Sequence, residues 1–87
     1  MTDQPLSSAD VAEAGREWVK NAPEGHYRSF GASFLGVTDT WQARSSAIVD
    51  GEIVTRYWRW RDDELRALGR AGLLAHLDAL EAQWGNP

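Results

Sequence analysis

Cysteine is absent from this 87-residue chain, and its absence removes several classes of function. A chain without cysteine cannot form a disulfide framework, a thiolate zinc site or an iron–sulfur cluster, and it has no cysteine nucleophile. No apolar run approaches the roughly 20 residues that span a membrane, so we expect no membrane partner. The first residues lack the basic-then-apolar pattern of a signal peptide, and we expect a cytoplasmic protein.

Positive charge is also scarce, and its distribution is uneven. Thirteen acidic residues stand against nine basic ones, which gives a net charge of −4. This balance disfavours nucleic acid as a partner, because duplex binding depends largely on neutralising phosphates. Residues 27–61 nevertheless carry five basic and three acidic residues, whereas both flanking segments are acidic. The sequence therefore predicts a basic middle region between two acidic ones.

The length of the chain leaves room for one small domain and no second hydrophobic core. We expect that domain to cover residues 1–87, with residues 1–6 forming a flexible tail. Without disulfides it must be stabilised by packing, and the five tryptophans are the obvious source of buried area.

The first helix is predicted from its capping signals. Ser7 and Asp10 have the spacing of a capping box, and Leu6 and Val11 occupy the two positions of a hydrophobic staple. Apolar residues then recur at helical spacing, and Asn21 and Pro23 should end the helix. The stripe comprises Val11, Ala14, Gly15, Trp18, Val19 and Ala22.

Residues 26–61 change to a period of two, which predicts three strands. A first strand is expected around Phe30, Ala32 and Phe34, followed by a turn at 36–39. Asp50-Gly51 is the dipeptide typical of a two-residue type I′ hairpin turn. A hairpin with that turn pairs the strands on either side of it in one definite register.

The predicted register sorts the hairpin residues onto two faces. One face is apolar and should form the core: Trp41, Ala43, Ala47, Val49, Val54, Trp58 and Trp60. The opposite face is polar and basic: Thr40, Gln42, Arg44, Ser46, Ile48, Ile53, Thr55, Tyr57, Arg59 and Arg61. Ser45 and Arg56 interrupt the apolar face, so either a bulge shifts the register there or Arg56 extends to an edge.

The last segment, from Asp62, returns to helical periodicity. Leu73, Leu77, Leu80 and Trp84 form one stripe, whereas Leu65 and Leu68 lie on another side of the same helix. Gly69 and Gly72 separate the two sets, which predicts either two helices or one helix bent at 69–72. The expected fold is α+β: a helix, a three-stranded antiparallel meander and a C-terminal helix, with both helices on the tryptophan face.

Motifs for catalysis or metal binding are weak. Residues 31–38 resemble a phosphate-binding loop, but Val37 replaces the essential lysine and the surrounding pattern is that of a strand. His26 and His76 lack a second ligand at metal-binding spacing, and we expect both at the surface. Helix capping explains the acidic run that begins at Asp62. We therefore predict no catalytic residue, no metal site and no cofactor.

The candidate binding residues lie on the basic face of the hairpin: Arg44, Ile48, Ile53, Tyr57, Arg59 and Arg61. The leading hypothesis is a non-catalytic protein-interaction module that binds a protein partner or forms a homodimer through this face. A nucleic-acid-binding protein that uses the same arginines and Tyr57 is the first alternative. A small-ligand or enzyme site between the sheet and the helices is the second.

Overall fold

The computed structural model describes residues 6–84, in which two helices flank a three-stranded sheet. The elements are α1 (Ser8–Lys20), β1 (Arg28–Leu35), β2 (Thr40–Val49), β3 (Glu52–Arg61) and α2 (Asp62–Trp84). The strands pair antiparallel in the order β1-β2-β3. This arrangement confirms the predicted α+β order of helix, meander and helix.

Helix α1 begins with the predicted capping box. The Ser7 hydroxyl accepts a hydrogen bond from the Asp10 backbone N–H at 3.2 Å, and the Asp10 carboxylate accepts one from the Ser7 N–H at 3.1 Å. Hydrogen bonding from the Ser7 backbone N–H, and after it from the Ser7 hydroxyl, holds the pKa of the Asp10 carboxyl below its usual value. Leu6 is only 3% exposed and belongs to the core with Val11, so the predicted flexible tail does not include Leu6. Residues 1–5 of that tail lie outside the described residues.

The β2–β3 hairpin has the predicted turn and register. Asp50 and Gly51 both have positive φ, 52° and 82°, as a type I′ turn requires. The register places Trp41 opposite Trp60 and pairs small Ala43 with large Trp58. This confirms the assignment of residues to two faces.

The pairing continues unbroken past the two residues that interrupt the apolar face. Ser45 lies opposite Arg56 in the same register, so the first of the two alternatives, a bulge that shifts the register, is absent from this hairpin. Ser45 is fully buried, and its hydroxyl has no hydrogen-bond partner among residues 6–84. Arg56 is exposed, as expected for a long side chain that extends from the edge strand to water.

All five tryptophans contribute to one core between the sheet and the helices. Trp18, Trp41, Trp60 and Trp84 are buried, and Trp58 packs against them while partly exposed. The Trp41 indole N–H donates to the Asp62 carboxylate at 2.9 Å, which ties the start of α2 to β2. Both helices therefore pack on the tryptophan face, as predicted.

Gly15 allows α1 to approach β1 closely. A Cβ at this position would lie 1.9 Å from Cδ1 of the Phe30 ring. Only a residue without a side chain leaves room for the ring against the helix backbone.

Arg28 is a charged residue on the core face of β1. Its side chain is 9% exposed, and its Nε and Nη2 each donate to the Glu81 carboxylate at 2.6 Å. Nη1 donates to the Trp18 carbonyl at 2.9 Å, and the guanidinium lies 4.6 Å from the centre of the Trp18 ring. This one side chain connects β1 to α1 and α2.

Helix α2 is interrupted at Gly69, which has φ 69° and ψ 175°. Only glycine adopts this region readily. Because of this interruption, the leucines on either side of it can face the same core. Leu65 before it and Leu73 and Leu77 after it are all fully buried. This confirms the break predicted from the two leucine sets.

Candidate interaction surface

The face of the sheet opposite the tryptophans is uncovered, because both helices pack on the other side. Along each strand, every second position alternates with a core residue and so lies on this uncovered side. These positions define the outer face: Ser29, Gly31, Ser33, Leu35, Thr40, Gln42, Arg44, Ser46, Ile48, Ile53, Thr55, Tyr57, Arg59 and Arg61. Tyr57 is 71% exposed and Ile53 is 62% exposed, which is unusual for large apolar side chains.

Three of the six predicted binding residues lie together at the centre of the outer face. The registers align Gly31, Arg44 and Tyr57 in one row across the three strands. The next row is Ser33, Gln42 and Arg59. Adjacent strands lie about 4.8 Å apart, so Arg44, Tyr57 and Arg59 form one compact basic and aromatic cluster.

An open depression of about 380 Å³ lies beside this cluster. It exists because Gly31 has no side chain, and a Cβ there would contact only the Arg44 side chain, at 3.6 Å or more. Ser33, Gln42, Arg44 and Tyr57 line it and supply hydroxyl, amide and guanidinium hydrogen-bond donors. A carboxylate side chain inserted here would meet several donors at once.

Arg44 and Arg59 have no carboxylate partner among residues 6–84. Arg59 donates only to the Gln42 side chain, at 3.3 Å. The outer face as defined contains arginines and no acidic residue. The positive charge at its centre is therefore available to a negatively charged group from outside.

Arg61, in contrast, is compensated within the chain. It donates to the Asp63 carboxylate at 2.6 Å and lies 3.9 Å from that of Glu64. This pairing raises the pKa of Arg61 and lowers that of Asp63. Arg61 thus lies at one end of the outer face with its charge already balanced.

The two predicted isoleucines lie at the opposite end, near the hairpin turn. Ile48 is half-buried, whereas its partner Ile53 projects into solvent. A row of hydroxyls, Ser46 and Thr55, whose side-chain oxygens lie 2.6 Å apart, separates the isoleucines from Arg44. The outer face therefore has an apolar end, a basic centre and a charge-balanced end.

The acidic charge of the helices is partly balanced within the molecule. Arg70 pairs with Glu17 and Glu13 across the helices, and Arg66 pairs with Asp62. Hydrogen bonds from Trp41 and then Arg66 hold the pKa of Asp62 below its usual value. These pairs leave less uncompensated negative charge on the helices than their count of acidic residues alone indicates.

The histidines occupy different environments. His26 is exposed, but His76 is half-buried and meets the Trp60 and Trp58 rings edge-on, with ring centres 5.5 and 6.3 Å away. The prediction of two surface histidines is therefore wrong for His76. The position of His76 beside the leucine stripe of α2 was the one sequence signal of its partial burial. Its contacts with the tryptophans depend on the tertiary packing, which the sequence pattern does not show.

Other candidate chemistry has a structural explanation. Residues 31–38 lie on β1 and the following turn, not at the start of a helix, so they lack the geometry of a phosphate-binding loop. Asp62 and Asp63 lie in the first turn of α2, bonded to neighbouring side chains. Among residues 6–84 no group of three or more metal-ligating side chains is found. Neither helix of the described chain is long and apolar enough to cross a membrane.

Sequence reasoning missed the part that β1 plays in this surface. The four-residue turn between β1 and β2 does not fix a register from sequence, whereas the two-residue turn between β2 and β3 does. Gly31 and Ser33 could therefore not be aligned with Arg44 and Gln42 in advance.

Comparisons with protein-family models, with curated proteins and with solved structures find no match to this chain.

Proposed function

We propose that this chain is a non-catalytic protein-interaction module whose outer face binds an acidic segment of another protein. The observation that carries the proposal is the uncovered sheet face, on which Tyr57 is exposed and neither Arg44 nor Arg59 has a carboxylate partner among residues 6–84. The cytoplasmic setting expected from the sequence belongs to the same proposal.

The chemistry of the cluster favours a carboxylate-bearing partner. Arginine binds carboxylates through two parallel hydrogen bonds, and arginine and tyrosine dominate the energetics of many protein interfaces. The depression beside Gly31 has room for one side chain, and Ile53 offers apolar contact at the end of the same face. An acidic segment with a neighbouring apolar residue would fit both features.

A protein partner is favoured over nucleic acid. Single-stranded nucleic acids are bound by several stacking aromatics, and the outer face has one aromatic residue, Tyr57. The net charge of −4 also repels a long polyanion, whereas a short acidic segment meets the basic centre alone. Nucleic-acid binding through Tyr57, Arg44, Arg59 and Arg61 is retained as an outcome of the test.

Self-association through this face is disfavoured by its charge. Two outer faces placed against each other would oppose arginines and supply no carboxylate to either copy. Like charges brought together at an interface raise the free energy of association.

The test is a binding titration with a fluorescein-labelled poly-glutamate peptide, followed by anisotropy at low salt. Arg44→Ala and Arg59→Ala should each weaken binding about tenfold, equivalent to about 1.4 kcal/mol. Arg56→Ala is the matched control, because it removes the same charge from the same strand but on the tryptophan side of the sheet. Equal losses for Arg56→Ala and Arg59→Ala, or no binding to the parent chain, would contradict the proposal.

A second variant tests the depression itself. Gly31→Val fills the space beside Arg44 without removing a charge, and the position has no positive φ to strain. We expect it to weaken peptide binding while leaving the unfolding midpoint nearly unchanged. Tighter binding of single-stranded DNA than of the peptide, lost in Arg44→Ala and steeply weakened by salt, would replace this proposal with the nucleic-acid alternative.

A further inference from the structure

The two edge strands of the sheet differ sharply in charge. β3 carries four charged residues: Glu52, Arg56, Arg59 and Arg61. The one charged residue of β1 is Arg28, and its guanidinium is buried against Glu81 and Trp18. Exposed charges are the common means by which edge strands avoid pairing with other chains. The β3 edge has this protection, and the β1 edge does not.

The unpaired main-chain groups of β1 can be identified from the hydrogen-bond pattern. Ile48 N–H donates to the Tyr27 carbonyl at 3.2 Å, so residues 27, 29, 31, 33 and 35 direct their main-chain groups toward β2. Arg28, Phe30, Ala32 and Phe34 therefore direct theirs outward. Within residues 6–84, no main-chain group outside the sheet bonds to these four.

Exposed apolar side chains are concentrated at the two ends of this strand. Six large apolar residues are exposed in the described chain, and four of them lie on or beside β1: Tyr27, Phe34, Leu35 and Val37. Val37, in the turn after β1, is completely exposed. Apolar surface beside an unpaired strand edge is typical of a site where another strand is added.

We propose that the β1 edge pairs antiparallel with β1 of a second copy, with Gly31 of each copy on the two-fold axis. This register places exposed Tyr27 opposite exposed Leu35 of the second copy, and Ser29 opposite its Ser33. The outward groups of residues 28, 30, 32 and 34 then form about eight hydrogen bonds. The two sheets become one six-stranded sheet.

A second copy is the occupant that the strand itself specifies. The register opposes no like charges, places small residues at the axis and pairs the exposed residues at the ends with each other. The outer faces of both copies then lie on the same side of the joined sheet, uncovered. The dimer depends on the β1 edge and the acidic partner on Arg44 and Arg59, so either proposal can fail alone.

Cysteine substitutions test the register, because the natural chain has no cysteine. Opposed residues of a non-hydrogen-bonded pair lie with Cα atoms about 4.5 Å apart, within the range of a disulfide. Gly31→Cys should therefore cross-link to its own copy under mild oxidation. Ser33→Cys is the matched control, because its copies would lie about 13 Å apart in this register. A mixture of Ser29→Cys and Ser33→Cys chains should cross-link only as a heterodimer.

Sedimentation velocity over a range of concentrations tests the dimer without oxidation. The parent chain should dimerise as its concentration rises, and Ser29→Lys/Ser33→Lys should remain monomeric because like charges then face each other. Ala9→Lys/Ala12→Lys adds the same charge at exposed positions of α1 and should dimerise like the parent. A parent that stays monomeric throughout would overturn the proposal. So would a dimer in which Gly31→Cys cross-links no faster than Ser33→Cys.

Discussion

Replacing Gly15 with alanine separates two opposing contributions to stability. Within a helix, the change from glycine to alanine contributes about 1 kcal/mol in favour of folding. Here, however, the new methyl group would lie within 3 Å of three atoms of the Phe30 ring, the nearest at 1.9 Å. Overpacking of a core costs about 1–3 kcal/mol, and three simultaneous overlaps put this site at the upper end. We therefore expect a net loss of about 1–2 kcal/mol.

Urea unfolding followed by tryptophan fluorescence measures this change, and a second substitution identifies its cause. In a Phe30→Ala background the ring is gone, so Gly15→Ala should become neutral or stabilise by up to about 1 kcal/mol. The double-mutant cycle should give a coupling free energy of about 1–3 kcal/mol between the two positions. A Gly15→Ala variant that stabilises the parent as much as the Phe30→Ala background would refute the reasoning.

Three further outcomes are expected from unfolding measurements. Gly69→Ala should destabilise by about 1–3 kcal/mol, because its φ and ψ are accessible only to glycine, and a melting temperature equal to the parent's would contradict this. Arg28→Met should cost about 2 kcal/mol through the lost charge-assisted hydrogen bonds, whereas Arg66→Met, which breaks an exposed pair, should cost less than about 0.5 kcal/mol. The pKa of Asp62 is lowered on folding, so its contribution to stability is complete above the ordinary value of 3.8 and disappears as the pH falls through the lower folded value. Asp62→Asn should therefore flatten the acid dependence of the unfolding free energy, and an unchanged pH profile would count against it.

Local signals in the sequence were sufficient to predict most of the fold. The capping box at Ser7 depends on residues three apart, and the hairpin register depends on the positive φ that Asp50 and Gly51 accept. The break in α2 followed from the angular offset of two leucine sets with Gly69 between them. In each case the physical cause lies within a few residues of the structure that it determines.

The features that escaped prediction depend on contacts between distant segments. Arg28 shares the core face of β1 with Phe30, but its partner Glu81 lies 53 residues away on the second helix. The half-buried position of His76 depends on Trp58 and Trp60 in the sheet. Neither pairing leaves a periodicity that could be read from the sequence.

The candidate site was also predictable only in part, because some of its features are local to the hairpin and others depend on neighbouring elements. Hairpin register brought Arg44, Tyr57 and Arg59 together correctly. It could not show that Arg61 is paired with Asp63 in the next element, or that Gly31 opens a depression beside Arg44. Because of those two facts, the candidate binding site is smaller than the predicted basic face and is limited to the centre of the outer face.

The most direct test of the central claim is an NMR titration that observes the arginine side chains. In ¹⁵N-labelled protein, each arginine gives an Nε–Hε signal that reports on hydrogen bonding to its guanidinium. On addition of the poly-glutamate peptide, the signals of Arg44 and Arg59 should shift, while those of Arg56 on the opposite side and of buried Arg28 stay in place. Shifts confined to Arg56 or to the arginines of the helices, or no shifts at all, would contradict the assignment of the outer face as the interaction surface.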